Sequence, residues 1–331
     1  MKKINKILVP TDFSDNAELA YTHAQEIAHR FGAKIDLIHV IPTLKYFNES
    51  MEQLEAPLDV VNKELYPTAQ KEVKHRLQTA IDDYLADESK GEPIVRIDRK
   101  PSEVIAELAQ DDGYDLIVMP SKGRHSSNLL RGSTTEKVIR HSQVPVFTVD
   151  DRISSEGVKR ILVPTDGSMI SFLALPLALS LADIYDADII LYHVQELYGS
   201  PLDYENRDPN KDEETNIYEA LIENLQDYLA NGGTDNVDVV RDEVSFEDQF
   251  LVTDGASSHR INFFTVIEKG VSAHIGINEY APGHADVVVM ATHGHGGLAH
   301  FFLGSTTEKV AQSLDMPVLT VKPDTSQMEE T

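Results

Sequence analysis

The chain has 331 residues, enough for two ordinary domains, and its 41% apolar content supports a substantial core. Lys and Arg total 29 against 55 Asp and Glu, and the formal charge of −26 repels nucleic acid and anionic membrane surfaces. There is no cysteine, so disulfides and thiolate metal sites are excluded, a composition that fits a reducing compartment.

The chain opens MKKINKILVPTDF, basic and then apolar, but Asp12 cuts the run far short of a signal-peptide core. No later segment approaches a membrane span, so the expectation is a soluble cytoplasmic protein. ILVP at 7–10 is a continuous run that suits a strand buried on both faces. Ala17, Ala20, Tyr21, Ala24, Ile27, Ala28 and Phe31 then recur at three and four, one face of a helix stopped by Gly32. IDLIHV at 35–40 reads as a second strand. After a long acidic loop, Leu65, Ala69, Val73, Leu77, Ile81, Tyr84 and Leu85 mark a second helix. Residues 94–98 suggest a third strand, 101–110 a helix, 114–119 a fourth strand, 133–142 a helix and 145–149 a fifth strand.

The same text then repeats. KILVPTD at 6–12 returns as RILVPTD at 160–166, His39-Val40 as His193-Val194, YDLIVM at 114–119 as ADVVVM at 285–290, and GSTTEKV at 132–138 unchanged at 304–310. Ordered matches of this kind mean a tandem duplication, with one domain at 1–150, a second at 158–323, and the polar stretch DDRISSEG between them. Each half alternates strand and helix, which predicts two doubly wound, five-stranded parallel sheets of Rossmann-like α/β class. Residues 324–331, within the polar tail that begins at Pro323, are expected to be disordered. Each half ends in an edge-type strand, PVFTV or PVLTV, whose open backbone groups favour pairing.

Two departures mark the second half. Pro176 falls inside the first helical pattern, so that helix should kink or begin late. The offset between matched residues is 154 at His39/His193 but 171 at Asp115/Asp286, so about 17 residues are added between them. FLVTDGASSHRINFFTVI, two apolar runs around Asp254-Gly255, places an extra β-hairpin at about 245–267.

In sheets of this class ligands sit beyond the carboxyl ends of the strands, where the strand order reverses. Pro164, Thr165 and Asp166 would meet Met290 and Ala291 there, and a helix starting at Gly304-Ser305 would aim backbone N–H groups at the crevice, which suits an anion. Gly294, Gly296, Gly297 and Gly304 would let backbone come close to phosphate oxygens. A competing account needs no ligand: Ser305 with Glu308, and Ser133 with Glu136, have the spacing of capping boxes.

The whole chain resembles a tandem universal stress protein, on the strength of V-P-T-D, H-V, D-L-I-V-M, the glycine loop, G-S-T-T-E-K-V and P-V-L-T-V. In ATP-binding members the loop runs Gly, two residues, Gly, nine residues, Gly, then Ser or Thr. The second half keeps that spacing from Ala291 through Gly294 to Gly304 and Ser305, with alanine for the first glycine. The first half has Pro120, then Gly123, and is one residue short before Gly132. The resemblance implies ATP or AMP, with or without magnesium, bound mainly by the second half. Adenine and ribose contacts would come from Pro164, Thr165, Asp166 and the backbone of Val194, and phosphate contacts from Gly294, Gly304, Ser305 and Thr306. Paired edge strands in family dimers imply that the two halves form a pseudo-dimer within one chain, which could dimerise again.

Residues 291–308 hold no Lys or Arg. The first half carries Lys122, Arg124, His125 and Arg131 beside the wrong glycine geometry, where they would bind a simpler anion or stay solvated. His293, His295 and His300, with His284 nearby, raise a zinc reading, but His-x-His in a glycine loop is a modest signal and zinc is not expected. No G-x-x-x-x-G-K-[ST] occurs, so a stress-responsive binding module is expected rather than a committed enzyme. The alternatives are a nucleotide-free scaffold for partner proteins, or a slow ATPase that phosphorylates itself at Ser305, Thr306 or Thr307.

Overall fold

The structure, a computed structural model, describes residues 2–43, 64–121, 133–150, 157–197, 208–242, 244, 247–255, 257–292 and 304–322. The chain divides into two compact units, one formed by most of residues 4–149 and the other mainly by residues 150–331.

In the first unit β1 (Lys6–Pro10), β2 (Lys34–Pro42), β3 (Lys90–Asp98), β4 (Leu116–Pro120) and β5 (Val146–Val149) form a parallel sheet in the order β3-β2-β1-β4-β5. Helices α1 (Asp15–Phe31), α2 (Tyr66–Tyr84), α3 (Pro101–Asp111) and α4 (Ser133–His141) make the crossovers. Ile7, Leu8 and Val9 are fully buried, as their unbroken apolar run requires of a central strand covered on both faces. Helix α1 ends where Gly32 takes the left-handed conformation, φ 70°, and its N–H bonds the carbonyl of Ala28. The strand order reverses between β1 and β4, which leaves a crevice at their carboxyl ends.

The second unit repeats the plan. β6 (Arg160–Pro164), β7 (Asp188–Glu196), the far part of β10 (Ser257–Gly270), β11 (Val287–Ala291) and β12 (Val318–Val321) give the order β12-β11-β6-β7-β10, all parallel. Its helices are α5 (Leu175–Tyr185), α6 (Glu213–Ala230), α7 (Ala273–His284) and α8 (Ser305–Ser313). Helix α5 does begin late: a short 3-10 turn, Ser171–Ala174, leads in, and Pro176 sits in the first turn, where its missing N–H costs nothing.

The predicted hairpin is present. β9 (Asp248–Asp254) runs antiparallel to the first part of β10, and β8 (Val237–Arg241) runs antiparallel to β9. The sequence reading put the addition at about 245–267. The sheet places it earlier, because Phe263–Gly270 pair with β7 as the third strand of the repeat and β8 begins at Val237. The addition therefore widens the sheet by two strands, with Phe250 and Phe263 packed at 4.4 Å and buried on one face. β8 was missed because VDVVR is too short to show a period. Among the described residues no helix is long and apolar enough to cross a membrane. The acidic loop and the tail from Pro323 lie outside the described residues.

Candidate functional site at the carboxyl edge of the second sheet

The crevice of the second unit opens where β6 and β11 end side by side. β6 hands over to a tight turn built from its own hydroxyls and one carboxylate. The Thr165 N–H bonds the Tyr192 carbonyl at 2.9 Å, extending the β6–β7 ladder by one residue. Thr165 Oγ1 accepts from the Gly167 N–H at 3.0 Å and pairs with Ser171 Oγ at 2.7 Å. Asp166 Oδ1 accepts from the Ser168 N–H at 3.0 Å and from Ser168 Oγ at 2.6 Å, which fixes the plane of the carboxylate. Gly167 has φ 79°, and Asn224 of α6 donates to its carbonyl at 3.0 Å.

The first unit builds the same turn. The Thr11 N–H bonds the Ile38 carbonyl, Asp12 Oδ1 accepts from the Ser14 N–H and Oγ, and Phe13 stands at φ 58° where the second unit has glycine. The Phe13 ring packs on His39 at 4.9 Å with the Arg76 guanidinium 4.2 Å above it.

On the other side of the crevice, α8 is tied to the end of β11 by two bonds. The Gly304 N–H donates to the Thr292 carbonyl at 2.7 Å, and the buried Thr307 Oγ1 donates to the Ala291 carbonyl at 2.8 Å. Thr135 and Pro120 make the equivalent bond in the first unit at 3.0 Å. Ser305 is not the N-cap that the capping-box account requires. Gly304, which has no side chain, is the N-cap, and Ser305 is already the first helical residue. The anchoring of Thr307 to β11 accounts for the shift, since it sets where the helix can begin. For Ser133, likewise the first helical residue, the preceding Gly132 lies outside the described residues, and Glu136 pairs with Arg140 at 3.1 Å.

Its neighbour α7 also starts at this edge, but there Glu196 Oε1 accepts from the Ala273 N–H at 2.7 Å. The start of α7 is thus met by a carboxylate, whereas the N-cap of α8 is a glycine with no side chain to offer. Helix α7 packs tightly on β7, with Tyr192, Val194, Ile277, Ala281 and Met290 in one buried cluster. The Tyr192 hydroxyl donates to Glu268 at 2.6 Å, and burial together with that carboxylate pushes its pKa well up.

Of the residues singled out from sequence, Pro164, Thr165, Asp166, Val194, Met290, Ala291, Gly304, Ser305 and Thr306 all fall along this edge. The side chains of Val194 and Met290 point into the core, so only their backbone is available to the crevice. Gly294, His293, His295 and His300, and in the first unit Lys122, Gly123, Arg124, His125 and Arg131, lie outside the described residues. His284 sits at the far end of α7, at the opposite edge of the sheet, stacked 3.9 Å from Tyr280. Among the described residues no group of acidic or histidine side chains could hold a metal ion.

Several contributors were invisible in the sequence. Asn224 comes from a helix placed there only by packing. Lys309 lies close enough to His274 that its charge, after burial, holds the imidazole below its usual pKa, so a cation stands one turn beyond the helix start.

A model of the universal stress protein family matches residues 3–150 and again residues 157–322. The chain belongs to the universal stress protein family. The Methanocaldococcus jannaschii universal stress protein MJ0577 is 32% identical over 152 residues, covering 44% of this chain and 93% of that protein. A Mycolicibacterium smegmatis universal stress protein is 25% identical over 323 residues, covering 96% and 97%. Among solved structures, a universal stress protein from Archaeoglobus fulgidus superposes with a TM-score of 0.58 at 20% identity, covering 97% of this chain and 99% of that one, which supports the fold.

Proposed function

We propose that the second unit is an adenine-nucleotide-binding module, taking ATP or AMP across the carboxyl edge of its sheet. The observation that carries this is the start of α8. It is locked to β11 by Gly304 and Thr307, and its N-cap, Gly304, has no side chain to occupy the first-turn N–H groups, which would face the crevice preorganised for an anion. Across the crevice, Asp166 stands on a turn stiffened by four hydrogen bonds and is suited to accept from ribose hydroxyls or an adenine edge. The residues fit such a ligand: Pro164, Thr165 and the backbone of Val194 would flank base and sugar, and Ser305 and Thr306 would meet phosphate. Phosphate charge would fall to backbone amides, to Lys309, and to a magnesium ion carried with the nucleotide. The module would act by binding, since no lysine of the P-loop kind is present to support phosphoryl transfer.

Equilibrium dialysis of the full chain against labelled AMP and ATP, with and without magnesium, tests the reading. Saturable binding near one equivalent per chain is expected, weakened about tenfold or more in Asp166→Ala, the scale of one lost hydrogen bond to a charged group. No saturable binding with either nucleotide would sink it.

A further inference from the structure

The His-Val dipeptide at the end of the second strand is repeated in both halves of the chain, and the nucleotide reading uses only its valine. The histidine has a consistent geometry. His193 Nδ1 lies 3.0 Å from the Thr165 carbonyl, and His39 Nδ1 lies 2.7 Å from the Thr11 carbonyl. A carbonyl oxygen can only accept, so Nδ1 carries the proton in both rings. His193 is 1% exposed, and its Nε2 has no hydrogen-bond partner among the described residues. A ring in that setting stays neutral, and burial lowers its pKa, as it does that of His39.

The Thr165 peptide is therefore held to β7 from both sides. Its N–H bonds the Tyr192 carbonyl and its carbonyl receives the His193 Nδ1–H. This is where β6 leaves the sheet, and the next residue is Asp166. Without the second bond the turn would be tied to β7 at the Thr165 N–H alone, and the plane of the following peptide could rotate. The Gly167 and Ser168 amides bond the side chains of Thr165 and Asp166, so their protection depends on that plane.

We propose that His193 is the positioning residue of this site, a tautomer-locked donor that fixes the Thr165 carbonyl and so aims Asp166 into the crevice. The part that concerns ligand affinity rests on the nucleotide reading above; the part that concerns the turn does not. The imidazole is buried, so its contribution to the site comes through the backbone it holds.

Two substitutions separate this role from simple packing. In His193→Asn the amide nitrogen reaches the position of Nδ1 and can still donate to Thr165. In His193→Gln the donor is displaced toward the position of Nε2, with more of the ring volume kept. Amide hydrogen exchange and AMP dialysis are measured on the full chain for each. His193→Asn is expected to retain protection at Gly167 and Ser168 and to bind AMP within about threefold of the unmodified chain. His193→Gln is expected to lose that protection and to bind about tenfold more weakly. The proposal is overturned if His193→Gln keeps both properties, or if Asn rescues no better than Gln. If the unmodified chain fails to bind AMP while exchange at 167 and 168 still follows the Asn and Gln pattern, the nucleotide reading falls and the positioning of the turn stands.

Discussion

Gly276 offers the sharpest test of how α7 is seated on β7. It lies in the first turn of the helix, and a Cβ built there would stand 2.8 Å from Val194 Cγ2 and 2.9 Å from the Tyr192 hydroxyl. Ordinary carbon contacts fall at about 3.5–4.0 Å, so Gly276→Ala requires a displacement on the order of 1 Å. Neither neighbour yields freely. The Tyr192 hydroxyl is bonded to Glu268 and its ring is stacked 4.7 Å from Tyr280. Val194 is also closely flanked on its other side, where a Cβ built at Gly270 would stand 3.0 Å from Val194 Cγ1. Overpacking of this kind costs about 1–3 kcal/mol, against which alanine regains about 1 kcal/mol of helix propensity, leaving a net loss of up to about 2 kcal/mol. Gly283 in the same helix has nothing within 4 Å of its added Cβ and serves as control. The assay is urea unfolding followed by circular dichroism. Gly276→Ala is expected to lower the midpoint and Gly283→Ala to leave it unchanged or raise it. A Gly276→Ala midpoint at or above that of the unmodified chain would refute the account of close helix–sheet contact.

Thr307→Val should remove the buried bond to the Ala291 carbonyl, cost about 1–2 kcal/mol in urea unfolding, and weaken AMP binding through loss of the anchored helix start; unchanged stability would mean the helix is seated by packing and the Gly304 bond without Thr307. The pH dependence follows from the depressed pKa of His193. The unfolded chain binds its proton near pH 6.5 while the folded chain does not, so stability is intact above that value and is lost as pH falls toward the folded pKa, at up to about 1.4 kcal/mol per pH unit. Comparing the unmodified chain with His193→Asn between pH 7.5 and pH 5 isolates this contribution, and parallel stability curves would show that His193 does not supply it.

Much of the fold was readable because it rests on local chemistry repeated twice. A buried parallel strand must be apolar throughout, and ILVP and IDLIHV are. Gly32 ends α1 because only the left-handed conformation closes it there, and Pro176 moves the start of α5 because it lacks a donor. The hairpin was legible from two apolar runs around a turn. Its bounds were not, because the second run continues straight into a strand of the repeat and changes partner from antiparallel to parallel at Phe263.

The site divides along the same line. Thr165, Asp166 and the GSTTEKV helix start could be nominated from spacing, but what each does was decided by contacts across the chain. Ser305 and Glu308 have the spacing of a capping box, yet Ser305 lies inside the helix with Gly304 as the N-cap, and Thr307 is tied to β11. His193 looked like one repeat match among several until its Nδ1 was seen on the carbonyl of a residue 28 positions earlier.

The amino-acid sequence by itself determined that there are two copies of one α/β plan, where their strands and most of their helices run, and which edge could hold an anion. Only the tertiary structure decided which carbonyl receives which proton, which residue stands at a helix N-cap, and how close a glycine lets a helix approach a strand. Periodicity and propensity act over a few residues and are written in order along the chain, whereas hydrogen-bond partnership and contact distance are set between residues that folding alone brings together.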